Sequence, residues 1–132
     1  MRVIEVKANK RQLFHHWMEV TFPLHKLGKK EQSVFAELLF YRDALKEKVN
    51  DEVLLNKLIF DHEVKVKIMN TLDITQNRLA LALTKLRKQG AIMNRTINKS
   101  YLPDINNNKA VMAYKFSIID DVGSKEEVKK EV

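Results

Sequence analysis

The chain has 132 residues, 45% of them hydrophobic, no cysteine, and a formal net charge of +7. That length predicts one domain with a core of its own, and the missing cysteines exclude disulfides and thiolate metal centres. No apolar run reaches the ~18 residues of a membrane span or forms a signal peptide after Met1, so a cytosolic protein is expected.

Met1 to Val6 is β-branched at Val3, Ile4 and Val6 and reads as an edge strand or an ordered arm. Lys10 to Glu19 places Leu13, Phe14, Trp17 and Met18 at helical spacing, whereas Met18, Val20, Phe22 and Leu24 alternate. The segment is therefore a short helix that can turn extended before Pro23. Residues 1–24 form an N-terminal arm or helix ahead of a main domain, 25–119, and a charged tail, 120–132. The arm's Trp and Phe residues suit either a dimer contact or a roof over the core.

After Gly28, Lys29 to Val49 carries Val34, Leu38, Tyr41 and Leu45 in one stripe, which predicts an amphipathic helix. Asn50 and Asp51 break it, and Leu54, Leu55, Leu58 and Ile59 predict a short helix from Asp51 to Phe60. Asp61 is an N-cap for a helix from His62 to Thr71, with Val64, Ile68 and Leu72 on its apolar side. Leu72, Asp73 and Ile74 make a short connection. Thr75 then caps a helix from Gln76 to Gln89 with Leu79, Leu83 and Leu86 inward. Gly90 occupies the position of a left-handed helix stop.

Past Gly90 the period falls to about two. Ala91 to Ile97 reads as one strand, and Met112, Tyr114, Phe116 and Ile118 as its partner. A long polar loop with Pro103 and Asn106-Asn107-Asn108-Lys109 joins them. From Gly123 the chain is charged and almost without apolar residues, which predicts a disordered or weakly helical tail.

The charge is concentrated. Of 24 bases and 17 acids, eight bases and one acid, Asp104, fall between Ile74 and Ile119, and the remaining 16 of each cancel. A field so placed suits a polyanion. On the helix from Gln76 to Gln89, Asn77, Ala80, Leu81, Thr84, Lys85 and Lys88 face away from the leucine stripe. Gln76, Asn77 and Arg78 lie in the first turn, the part that reaches base edges when a helix enters the major groove. A cation at Arg78 opposes the helix dipole by roughly 0.3–1 kcal/mol, which an external anion would offset. Arg95, Lys99 and Lys109 are placed to meet phosphates. Leu81 in the middle of this face suits a thymine methyl or, equally, a protein surface.

Helix, short turn, helix, glycine and hairpin resemble the winged helix-turn-helix superfamily, over Lys29 to Ile119. The run LDITQNRLALALTKLRKQGAI, Leu72 to Ile92, is similar to its capped recognition helix with a basic-basic-x-Gly-apolar turn into the wing. FPLHKLGKKEQSVFAELL, Phe22 to Leu39, is similar to its first helix. More loosely, the chain resembles small winged-helix proteins of bacterial viruses. The resemblance implies a mainly α fold with a small β-hairpin and double-stranded DNA as partner. In that role the helix 75–89 would read the major groove and the 91–119 wing would hold phosphates, in transcription or replication control, with a homodimer or larger homo-oligomer conceivable. The competing expectation is a structural or protein-interaction module, such as a virion component. Catalysis has no positive sign: His15, His16, His25 and His62 match no ligand spacing, Asp61 and Glu63 read as cap and dipole partners, and neither a metal nor a cofactor is expected.

Overall fold

The computed structural model describes residues 2–120. Among them the chain is mainly helical, with six helices followed by two small antiparallel hairpins. The helices are α1 (Lys10–Val20), α2 (Phe22–His25), α3 (Lys29–Lys46), α4 (Glu52–Ile59), α5 (His62–Leu72) and α6 (Gln76–Lys88). The hairpins pair β1 (Ile92–Met93) with β2 (Thr96–Ile97), and β3 (Ile105–Asn106) with β4 (Lys109–Ala110). A 3-10 turn, Lys99–Tyr101, separates them.

Local chemistry starts most of these helices. Asn9 and Gln12 form a reciprocal capping box on α1, and Asp51, Asp61 and Thr75 each accept a backbone N–H at the start of α4, α5 and α6. The caps at Asp61 and Thr75 are those the sequence indicates. The alternation from Met18 to Leu24 does not produce extended chain. Thr21 instead turns α1 into the single-turn α2, with Pro23 in its first turn, where a missing N–H costs nothing.

Helix α3 is central and packs against α1, α4, α5 and α6. Six consecutive residues, Val34 to Leu39, are buried, as is Arg42, whereas Tyr41 and Leu45 are only half-buried. The expected one-sided stripe is thus corrected: neighbours on several sides bury α3 around its circumference. It also stops at Lys46 rather than Val49. Phe14 and Met18 of α1 enter the same core as Phe35, Leu38, Ile68 and Leu86, and Trp17 packs at its edge.

That burial encloses a charge. Glu37 has no exposed surface, and its Oε2 accepts a 2.7 Å hydrogen bond from His15 Nε2. Arg11 Nε lies 3.3 Å from the same oxygen but is misaligned for a hydrogen bond, and Oε1 has no partner among the described residues. The Arg11 guanidinium sits 4.3 Å from the Phe40 ring centroid and bonds the Tyr41 hydroxyl. A second link from α1 to α3 is the 2.8 Å bond from Lys10 Nζ to Asp43, which holds the Lys10 ammonium above its usual pKa.

Two expectations fail beyond α6. Ala91 to Ile97 is not one strand but the whole β1–β2 hairpin, folded about Asn94 and Arg95. Met112 to Ile118 forms no strand, and the polar loop at Asn106 to Lys109 is itself the β3–β4 hairpin. In both turns the two central residues, Asn94–Arg95 and Asn107–Asn108, have positive φ, the geometry of a type I′ turn. This compact two-residue closure satisfies the chain locally and leaves no pairing between residues 91–97 and 112–118. Residues 2–9 form no strand either, and the tail from Gly123 lies outside the described residues.

The Glu37 arrangement predicts that His15→Ala lowers the unfolding free energy by about 1–3 kcal/mol, by orphaning a buried acceptor. Adding Glu37→Met to His15→Ala recovers most of that loss, because the uncompensated charge is gone. Urea denaturation of the wild type, both single variants and the double variant closes the cycle.

Candidate nucleic-acid interface

The candidate surface is built on α6. Its inward residues Leu79, Ala82, Leu83 and Leu86 are buried against α3 and α5, which fixes the helix about its own axis. The opposite side is then forced outward: Gln76, Asn77, Arg78, Leu81, Thr84, Lys85 and Lys88 are all exposed. Leu81 is 63% exposed. Asp73, in the left-handed conformation, ends α5, with Ile74 N–H bonded to Met69 O at 3.1 Å, so three residues reverse the chain into α6.

At the other end, Gly90 has φ +82°. Its N–H reaches Arg87 O and the Ala91 N–H reaches Leu86 O at 3.0 Å, the paired bonds of a Schellman stop. The chain leaves directly into β1. Asn98 locks this junction: its backbone N–H bonds Ala91 O at 2.8 Å, its Nδ2 donates to Gly90 O at 2.9 Å, and its Oδ1 caps Ser100. Tyr101 adds a second clamp. Its hydroxyl donates to Gln89 O, its carbonyl accepts the Trp17 indole N–H at 2.9 Å, and its ring meets Phe35 edge-on. Asn98 and Tyr101 were not among the residues singled out from sequence. Asn98 carries a weak signal, an Asx residue two positions before Ser100, but Tyr101 has no local signature.

The expected basic site residues differ in how free their charge is. Arg78, Lys88 and Arg95 are exposed and have no acid within 4 Å among the described residues. Arg78 keeps its place in the first turn, with its backbone N–H bonded to Thr75 Oγ1 at 3.3 Å. Lys85 and Lys99 instead face acids from distant parts of the chain, Lys85 at 3.6 Å from Glu31 and Lys99 at 4.0 Å from Glu52. The Lys99 partner, Glu52, is also held by Arg42 at 3.1 Å. Thr84 turns its hydroxyl back to Ala80 O at 2.9 Å. Lys109 is exposed on β4, in the second hairpin, and Lys99 lies on the 3-10 turn, so the two do not share one long loop between wing strands as expected.

Arg95 is the tip of the first hairpin and occupies the second left-handed position, with φ +59°. Glycine is the favoured residue there, and a side chain costs roughly 1–2 kcal/mol. A cation held in a strained turn next to a basic helix gives the surface a second projecting charge.

No helix among the described residues is long and apolar enough to cross a membrane, and no cluster of three or more metal-ligating side chains occurs among them. No protein-family model, curated protein or solved structure matches the chain.

The junction predicts that Asn98→Ala lowers stability by about 1–2 kcal/mol, through loss of the bond to Gly90 and of the Ser100 cap. Amide hydrogen exchange should quicken in residues 91–98 more than in α3. Thermal melting and exchange rates together check it.

Proposed function

We propose that the protein binds double-stranded DNA through a winged helix-turn-helix arrangement, in transcription or replication control. In this reading α5, the Asp73–Thr75 turn and α6 are the helix-turn-helix, and the β1–β2 hairpin is a short wing. The observation that carries it is the outward face of α6. It is free of acids from Gln76 to Lys88, it presents amides and a guanidinium at its N-terminal turn, and it joins rigidly to a hairpin tipped by Arg95. Arg78, with Gln76 and Asn77, reads base edges, while Lys88, Arg95 and the more distant Lys109 hold phosphates. Leu81 supplies an apolar contact to a thymine methyl. Lys85 and Lys99 contribute less, because each spends part of its charge on a carboxylate. No catalytic step, metal or cofactor enters this role, and the site of action is the cytoplasm of a bacterial or phage-infected cell.

A second reading, a protein-interaction module such as a virion component, rests on one observation. Leu81 and Met93 are both more than half exposed beside the basic side chains, which suits a partner with an apolar patch.

The test is binding to random and selected duplexes at several salt concentrations. With three or more phosphates neutralised, the logarithm of affinity should fall with the logarithm of salt with a slope of about −3 or steeper. Arg78→Ala should relax sequence selectivity at about 1–3 kcal/mol, whereas Lys88→Ala should weaken all duplexes alike and flatten the slope by about one. A flat salt response with intact binding to a protein partner would select the second reading.

Two further outcomes follow from the geometry. Glu31→Gln releases Lys85 and should raise affinity at low salt by up to about fivefold, in proportion to a surface ion pair. Arg95→Gly should move stability and binding in opposite directions. It relieves the turn and raises the unfolding free energy by about 0.5–1 kcal/mol, while weakening the complex. Asn108→Gly, in the second hairpin, should stabilise without that loss. Paired denaturation and binding curves measure both effects.

A further inference from the structure

Two segments carry apolar side chains that this fold does not bury. In residues 2–9, Val3 and Ile4 are 77% and 81% exposed, and in residues 111–120, Phe116 and Ile118 are 89% and 100% exposed. Neither segment pairs with a strand among the described residues. Both nevertheless have strand patterning: Ile4 and Val6 alternate with Glu5, and Met112, Tyr114, Phe116 and Ile118 alternate with Ala113, Lys115 and Ser117. Isolated exposed apolar residues are ordinary, but two unpaired alternating segments offer backbone groups and side chains together.

The two patterns complement each other. Laid antiparallel with Val6 opposite Tyr114, Ile4 falls opposite Phe116, and both pairs share one face. Glu5 then falls opposite Lys115 on the other face. Sliding the pairing two residues one way sets Lys7 against Lys115, a like-charge pair. Sliding it two residues the other way sets Glu5 against Ala113 and loses the ion pair. Opposite charges and apolar-aromatic pairs directly across an antiparallel ladder are the contacts that select a register.

We propose that residues 2–7 of one copy pair antiparallel with residues 113–118 of a second copy, and reciprocally, in a two-fold dimer. A two-fold axis makes the exchange self-complementary, so it closes at two copies. The second copy is favoured over the same chain by reach. The N-terminal segment joins α1 at Asn9, while the Tyr114 hydroxyl bonds the Val20 carbonyl at the far end of that helix. Helix α1 is about 16 Å long, and the stretch from Val6 to Asn9 reaches about 10 Å at most. Pairing within one chain would draw that segment taut along α1, a constraint a second copy does not impose. The dimer stands whether or not α6 binds DNA.

The test uses the full chain, and the lack of native cysteines makes cross-linking clean. Sedimentation equilibrium should show a monomer–dimer equilibrium. Ile4→Asp with Phe116→Asp should weaken it at least about tenfold, with helix content by circular dichroism unchanged because both residues are exposed. Oxidising a mixture of Glu5→Cys and Lys115→Cys chains should give a covalent heterodimer in preference to either homodimer. A monomer at roughly 0.1 mM overturns the proposal. So does a dimer that the two aspartates leave intact. So does a chain carrying both cysteine substitutions that closes on itself as a monomer, which would place the pairing within one chain.

Discussion

A carboxylate with no exposed surface, Glu37, sits near the middle of the central helix. Burying an ion is costly unless other groups satisfy it, and α3 cannot supply those groups from its own apolar neighbours. They come from α1, as His15 at 2.7 Å and Arg11 at 3.3 Å. Helix α1 is thereby more than an apolar lid: Phe14 and Met18 fill the core, while His15 and Arg11 make the burial of Glu37 tolerable. The same helix carries Trp17, whose indole reaches the Tyr101 carbonyl. A single polar requirement in α3 thus fixes α1, and α1 in turn helps fix the turn that follows the first hairpin.

The candidate interface depends on this chain of contacts. Helix α6 is held against α3 by Leu79, Leu83 and Leu86, and the hairpin is held to the end of α6 by Gly90, Asn98 and Tyr101. The outward face of α6 and the tip at Arg95 therefore move together. Docking of an extended, stiff partner would gain from that coupling, because little ordering entropy would remain to be lost.

Much of the helical layout was legible in the sequence because its determinants are local. Asp61 and Thr75 announce α5 and α6 as caps, Gly90 announces the stop, and the leucine spacing of α6 sets its buried face. What was hidden depends on distant contacts or on subtle turn chemistry. Glu37 flanks the apolar stripe of α3, and nothing local to it tells that α1 covers it. The two hairpins escaped because their type I′ turns use Asn-Arg and Asn-Asn, without the glycine that signals such a turn. The alternation at residues 112–118 was real as a pattern but did not produce a strand, since alternation states a preference and only a partner ladder realises it.

The charge distribution shows the same division between sequence and space. From Ile74 to Pro103 the chain has no acid, yet in three dimensions Glu31 and Glu52 stand beside Lys85 and Lys99. Both acids precede the basic window by at least twenty residues in sequence, so no window count could reveal them. On α6 and the first hairpin the cations left with no acid within 4 Å among the described residues are Arg78, Arg87, Lys88 and Arg95, with the exposed Leu81 among them. For a DNA reader this arrangement separates roles: charge at the start of α6, at its end and at the hairpin tip, with an apolar contact between. For a protein binder the same Leu81 becomes the centre and the cations its rim. The two readings differ in which of these contributes the larger share of binding, so the dependence of binding on salt distinguishes them on physical grounds.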